Sequence, residues 1–589
     1  METREARIAT IFRVWAPAAR LVELEIGNER HPMQQGKDGW WVLPVSLSAE
    51  LCDYGFYVDG RGPFPDPRAR WQPNGVHALS RLWDHSSFQW KDGEWVAPPL
   101  ETAVLYELHV GTFSPGGTFV GAIEKLDYLV ELGVTHVELM PVHEFAGERG
   151  WGYDSVGLFA PHHAYGDPDD LKRLVDACHG AGLAVLLDVV FNHLGPSGNY
   201  LRQFGPYFTQ AHANPWGEAI NFDQRGSDEV RRFFCDCALM WARDYHVDGF
   251  RLDAVHGMFD ISARHFLEQL ADEIAAYAKA SGRRIVLIAE SDLNDPRLVV
   301  SPERGGLGLD AAWNDDFHHA LHCVLTGEKD GYYSDFGTLG ALAKSLRDIY
   351  VYDGGFSRYR GRCHGRAAKG VSANRFQGYI QNHDQVGNRA QGERLSQMLT
   401  LGHLQIASAV VMMSPFLPLL FQGEEWGAMT PFYYFTDYPE KDLADAVKGR
   451  RAEEFSAFGW RAEELADPQA IKTFEDCRLR WDELDHPTKY TLLAWYKKLI
   501  RLRRSEPLLA GEVPAEAVPA FDEAMKWFLF TRGPFLIICN LAAGFQQVRL
   551  PSPHYQMLLA SDDSLKVEDG TMGLPGLSVA ILKEERPCL

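Results

Sequence analysis

The sequence predicts an α/β chain: a (β/α)8 barrel with an immunoglobulin-like β-sandwich before it and a second β-sandwich after it. Three observations carry that expectation. From about residue 100 to 505, short apolar runs alternate with helical stretches. Before and after that span the apolar pattern has a period of two. Several of the central runs end on a carboxylate or an imidazole, where the C-terminal ends of barrel strands open into one cup.

The elements follow in order. Ile11–Trp15 and Val22–Ile26 alternate apolar and polar residues, and Gly36-Lys-Asp-Gly39 is a turn signal. Pro63-Phe-Pro-Asp-Pro67 and Gln72-Pro-Asn-Gly75 are too proline-rich for a helix or a central strand, so they read as an ordered crossing that ends near Pro98-Pro99. This sets a first domain at 1–98 and a catalytic barrel with loop insertions at 99–506. Strands are expected at Val104–Val110, His136–Met140, Leu183–Asp188, Val247–Leu252, Arg284–Ala289, Leu309–Trp313, Phe376–Gln381 and Phe416–Phe421. One unit shows the logic. Asp167 caps a helix opened by Pro168, Leu171, Leu174, Val175 and Cys178 share one face, and Gly180 and Gly182 end the helix before the next strand. An open doubly wound sheet is the competitor, but Val110-Gly-Thr-Phe-Ser after the first strand lacks the glycine-rich phosphate turn. An amphipathic, basic-tailed helix over 490–506 closes the barrel. Lys526–Phe530, Phe535–Cys539 and Leu577–Leu582 then read as strands of a domain at 507–589.

Four segments bring polar groups to the ends of these strands: Asp188-Val-Val-Phe-Asn192-His193, Gly249-Phe-Arg251-Leu-Asp253-Ala-Val-His256, Ala289-Glu290-Ser291 and Gln381-Asn382-His383-Asp384. A single Asp after a strand is most often a helix cap or half of a buried ion pair. Four such acids interleaved with His193, Arg251, His256 and His383 point instead to one site, because burying carboxylates at strand ends is costly and adds no stability by itself. Two or three converging carboxylates are what glycosidic-bond cleavage needs. Asp253 lies two residues beyond Arg251, on the same strand face, so a cation would keep it ionised as a nucleophile demands. Glu290 follows Val286-Leu-Ile-Ala289 with no Arg or Lys nearer in sequence than Arg284, so an apolar setting beside other acids should hold its proton, as an acid/base requires. Asp384 should stay ionised beside the developing oxocarbenium ion.

These segments resemble the four short conserved regions of the α-amylase clan of glycoside hydrolases, in the order and on the strands that clan uses. The resemblance implies a retaining mechanism on α-linked glucose with Asp253 as nucleophile, Glu290 as acid/base and Asp384 as stabiliser. It also implies that Arg251, His193 and His383 hydrogen-bond the sugar at the cleavage point. Tyr153 and Asp154, in Trp151-Gly-Tyr-Asp154, match the clan's stacking tyrosine and its partner. Asn192 matches a calcium ligand of many members, but the rest of that calcium site is not recognisable, so no metal is carried over. Phe12–Pro17, with Asp66-Pro67 and Gln72-Pro73, resembles the β-sandwich that precedes the barrel in branching, debranching and trehalose-releasing members. Phe145–Asp154, Pro215–Phe222, Phe421–Trp426, Pro431–Asp437 and the run ending at Trp460 look like the trehalose-releasing branch. That branch implies a malto-oligosaccharide substrate capped by trehalose. Glu424 and Trp426, with Glu425 and Tyr434, are candidates for its acceptor side because they follow the eighth strand.

Composition narrows the alternatives. A net charge of −22 over 589 residues disfavours nucleic acid and anionic lipid and favours a neutral substrate. Aromatic residues make up 12% of the chain, including 16 Trp, which can supply sugar platforms but also fill large cores. The nine Cys are scattered and Cys235-Asp-Cys237 is their only close pair, which suggests free thiols of a cytoplasmic protein rather than a metal cluster. No cofactor, metal or membrane partner is expected. The rival activities are glucan branching, silent glucan binding, which the three intact acids oppose, and metal-dependent hydrolysis, for which no H-E-x-x-H spacing exists.

Overall fold

The computed structural model describes residues 7–48, 52–456, 461, 465–513 and 515–585. Most of the run ending at Trp460 therefore lies outside the described residues.

Eight parallel strands close on themselves: Leu105–Leu108, His136–Leu139, Ala184–Val189, Gly249–Leu252, Val286–Ala289, Ala311–Trp313, Phe376–Gly378 and Leu417–Phe421. Each lies within or overlaps an expected strand. Closure excludes the open sheet, since Leu105 pairs with His136 on one side and with Leu419 on the other. The strands are apolar throughout because helices cover them outside and side chains fill the interior.

The helix Pro168–Gly180 forms as its sequence dictates. Asp167 accepts from the backbone N–H of Asp170, whose side chain accepts in return from that of Asp167, and Leu171, Leu174, Val175 and Cys178 are buried. The closing helix spans Pro487–Ser505 and buries Leu492, Trp495, Tyr496, Leu499 and Ile500.

Before the barrel, Arg7–Trp15 pairs antiparallel with Trp40–Ser48, and Val22–Ile26 pairs with Asp53–Val58 in a second sheet. The expected turn sits between Gln34–Gln35 and Trp40–Ser48, with Asp38 and Gly39 both at positive φ. The crossing segment is pinned to the barrel by Arg68 on Asp236 and Arg70 on Asp244. After the barrel, Trp527–Arg532, Phe535–Asn540 and Ser578–Glu584 belong to a five-stranded antiparallel sheet, and a three-stranded sheet packs over Leu529, Leu536, Ile538 and Leu582.

Candidate active site

The C-terminal rim of the barrel gathers the four segments around one cation. Arg251, on the fourth barrel strand, is 0% exposed. Its Nη1 donates to both carboxylate oxygens of Asp188 at 3.0 and 2.9 Å and to Asp253 Oδ1 at 2.8 Å. Its Nη2 lies 3.0 Å from Glu290 Oε2, and the guanidinium sits over the Trp313 ring at 4.2 Å. The register explains the convergence: Arg251 is aligned with Asp188 of the third strand and with Ile288 of the fifth, two residues before Glu290.

The same register corrects one expectation. The sequence implies an apolar setting for Glu290, with no Arg or Lys nearer in sequence than Arg284, yet Arg251 touches it, because the neighbouring strand supplies a charge that sequence distance does not reveal. Burial, with Asp253 and Asp384 adding to it, still outweighs Arg251 and pushes the Glu290 carboxyl well above the usual range. Asp253 goes the other way. Burial pushes its carboxyl up, but Arg251 and His193 with hydrogen bonds from Arg251 and Asn192 outweigh it, so the net shift is downward. Each acid has an oxygen within reach of one planar guanidinium.

Ala254 links the two acids. It stands in the left-handed region at φ 38°, an unusual state for a residue with a Cβ, and there its N–H donates to Glu290 Oε2 at 2.6 Å. Asn192 Nδ2 donates to Asp253 Oδ2 at 3.0 Å, so in this chain that side chain orients a carboxylate. His193 Nδ1 bonds Asn192 Oδ1 at 2.5 Å.

Asp384 is placed differently from expectation. The seventh strand ends at Gly378, and Asp384 lies in the first turn of a short helix, His383–Gly387, which Asn382 caps by accepting from Gln385 N–H at 2.8 Å. Its side chain is 36% exposed and lies 3.6 Å from His383 Nε2. His383 is anchored from below by Glu107, whose two oxygens accept from its backbone N–H at 2.8 Å and its Nδ1 at 2.5 Å. Burial opposes charge on His383, but Glu107 and Asp384 overcome it and push the imidazole up to about 9. Tyr153 stacks on His383 at 5.0 Å between centroids and donates to Asp188 Oδ2 at 2.6 Å. Asp154 accepts from the Tyr434 hydroxyl at 3.4 Å. His256 meets the edge of Trp216, which also stacks near His193 at 6.0 Å and is 42% exposed.

Glu424 and Trp426 are not brought to the cup. Glu424 accepts from the Tyr496 hydroxyl of the closing helix at 2.8 Å, and Trp426 is 0% exposed against Tyr128 and Trp481. Glu425 accepts from Tyr106 at 3.0 Å and Tyr128 at 2.8 Å. The turn after the eighth strand tucks these three side chains inward, so they pack the barrel wall. Of the four acceptor-side candidates, only Tyr434 stands beside Tyr153 and Asp154.

Sequence reasoning missed Glu107, Glu138 and Trp216. Glu107 and Glu138 occupy aligned positions on the first two strands and both are buried. Burial, with Glu107 and Asp188 adding to it, raises the Glu138 carboxyl to about 8. An acid inside a doubly buried apolar run was the available signal for both. Trp216 sits on a hairpin, Phe208–Asn214 with Gly217–Ile220, whose docking depends on Asn214 donating to the carbonyl of Asn192 at 2.8 Å.

A closed eight-stranded parallel barrel with this rim of acids around an arginine is a glycoside hydrolase of the α-amylase type, and residues 82–214 match the alpha amylase catalytic domain family. The chain is 46% identical over 582 residues to the malto-oligosyltrehalose trehalohydrolase of Mycobacterium tuberculosis, covering 98% of this chain and 99% of that one. It is 48% identical over 581 residues to the protein of the same name from Arthrobacter ramosus, covering 97% and 99%. The chain belongs to the malto-oligosyltrehalose trehalohydrolase family. A Salmonella typhimurium crystal structure superposes with a TM-score of 0.88 at 37% identity, over 99% of both chains. A Paenibacillus barengoltzii pullulanase shares the fold, with a TM-score of 0.72 at 19% identity, over 100% of this chain and 96% of that one. No helix among the described residues is long and apolar enough to cross a membrane.

Proposed function

We propose that this chain hydrolyses the α-1,4 bond beside the terminal trehalose of malto-oligosyltrehalose, releasing trehalose and retaining the anomeric configuration. The observation that carries the chemistry is the divergence of Asp253 and Glu290. They share one guanidinium, yet the first is held as an anion and the second as an acid. The Asp253 carboxylate attacks the anomeric carbon while Glu290 gives its proton to the departing trehalose oxygen. Glu290, now an anion, takes a proton from water, and that water releases the glucan from Asp253. Asp384 stabilises the developing positive charge. Arg251, His193 and His383 orient the sugar at the cleavage point, Tyr153 and Asp154 form its platform, and His256 binds substrate beside Trp216.

The choice of substrate rests on the names of the full-length relatives. Glucan branching has weaker support: a branching enzyme of Bacillus caldolyticus is 34% identical over 346 residues, only 52% of this chain. Incubation with malto-oligosyltrehalose should yield free trehalose, and incubation with amylose should leave iodine staining largely intact. Loss of staining without trehalose release would favour branching. We also read the three spans 1–98, 99–506 and 507–589 as separate domains. A cytoplasmic location fits the eight described cysteines, all of which are free thiols.

A further inference from the structure

We propose that Glu144, His162 and His163 form a binding site for one zinc-class divalent cation, outside the catalytic cup. In sequence Glu144 stands 18 residues before the adjacent pair His162-His163, so no familiar ligand spacing betrays them. The structure joins them through a short antiparallel pair, His143–Glu144 with Gly157–Pro161, in which His143 is aligned with Pro161. His162 N–H donates to the carbonyl of Val142 at 2.7 Å, which locks the following residues against Glu144.

The donor atoms are already gathered. One donor atom from each residue lies within 4.8 Å of the other two. Glu144 Oε1 is 2.9 Å from His163 Nδ1, and Glu144 Oε2 is 3.4 Å from His162 Nδ1. Zinc bonds of about 2.0–2.2 Å to imidazole nitrogen and carboxylate oxygen would be met by small rotations of these side chains. Two imidazoles and a carboxylate make a set that suits zinc and its neighbours rather than calcium or magnesium, which prefer all-oxygen shells.

His163 pairs closely with Glu144, whereas His162 reaches the same carboxylate only at 3.4 Å. The His162 side chain is 0% exposed and packs its face on Phe145 at 3.6 Å; among the described residues its Nδ1 meets only Glu144 and its Nε2 has no hydrogen-bond partner. A buried imidazole held only by so long a contact is under-satisfied, and coordination through Nδ1 would replace that contact with a bond. Access exists along His163, whose side chain is 14% exposed, and past Glu148, which is 71% exposed and lies 3.2 Å from His163 Nε2. Water would complete the shell, with Glu148 on His163 Nε2 orienting the ligand ring. The site brackets the loop that carries Tyr153 and Asp154, so a bound cation would stiffen the platform side of the cup and take no part in bond cleavage.

The test uses the full-length protein, freed of metal by chelation and titrated with Zn2+ or Co2+ alone. We expect one Co2+ per chain with the intense visible bands of four-coordinate cobalt, and one Zn2+ that raises the thermal midpoint by a few degrees. Both effects should vanish in His162→Gln and in Glu144→Gln. X-ray absorption of the wild-type zinc protein should show nitrogen and oxygen neighbours only, which keeps the test decisive should either variant fold poorly. Absence of stoichiometric binding, binding that survives both substitutions, or sulfur in the zinc shell would each overturn the proposal.

Discussion

Arg251→Met isolates the electrostatic design of the cup. The substitution keeps much of the volume over Trp313 and removes a cation that contacts Asp188, Asp253 and Glu290 together. Breaking a buried pair by deleting one partner costs about 3–5 kcal/mol, and here three carboxylates lose their partner. Part of that cost will be relieved by proton uptake. Asp253 should respond, because burial already pushes its carboxyl upward and Arg251 is the first of the groups that hold it down. Removing an adjacent opposite charge raises a carboxylate pKa by about 1–3 units. The sign follows from linkage. Asp253 has a depressed folded pKa, so its stabilisation is present above the unfolded value near ~4 and fades as pH falls through the folded value. The stability gap between wild type and Arg251→Met should therefore be full at neutral pH and shrink in acid. The acidic limb of kcat/KM should move upward by the same one to three units. Urea unfolding at several pH values and a pH–rate profile on malto-oligosyltrehalose measure both. An unmoved acidic limb with a pH-independent stability gap would refute the coupling between Arg251 and Asp253.

Glu290→Gln should lower kcat by about 10²–10⁴-fold with little change in unfolding midpoint, and because Glu290 must be protonated to act, any alkaline limb it sets in the pH–rate profile should disappear; near-wild-type turnover would remove the acid/base assignment. Product from a malto-oligosaccharide surrogate should appear first as the α-anomer in proton NMR, whereas initial β-product means inversion. Trp426→Ala should cost about 3–5 kcal/mol of stability while KM of the folded enzyme stays unchanged, and a selective rise in KM would return Trp426 to the substrate. At the opposite end of the barrel, His179 bridges Asp92 and Asp248 at 2.8 and 2.9 Å. Burial disfavours its charge, but the two carboxylates win and raise the imidazole, while Asp92 is driven down despite its own burial. His179→Gln should thus destabilise most between about pH 4 and 6.5, and the difference should fade as pH rises through the raised imidazole value. A pH-independent difference in chemical denaturation would count against a charged His179.

What the sequence determined by itself is the part governed by local patterning. Apolar runs broken by capped helices specify the eight strands, since a strand buried on both faces must be apolar along its length, and Asp167 with Pro168 starts its helix through short-range hydrogen bonding alone. Arg251 beside Asp253 was legible for the same reason, because two residues on one strand keep a fixed relation. Tertiary structure decided what depends on neighbours distant in the chain. It put Arg251 against Glu290 through strand register and set Glu107 beneath His383 across the closing seam. It also turned Glu424 and Trp426 into the barrel wall and brought Glu144 to His162 through a hairpin. In each case the deciding quantity is the field and packing at a point in space, to which several elements contribute and which no single stretch of chain encodes.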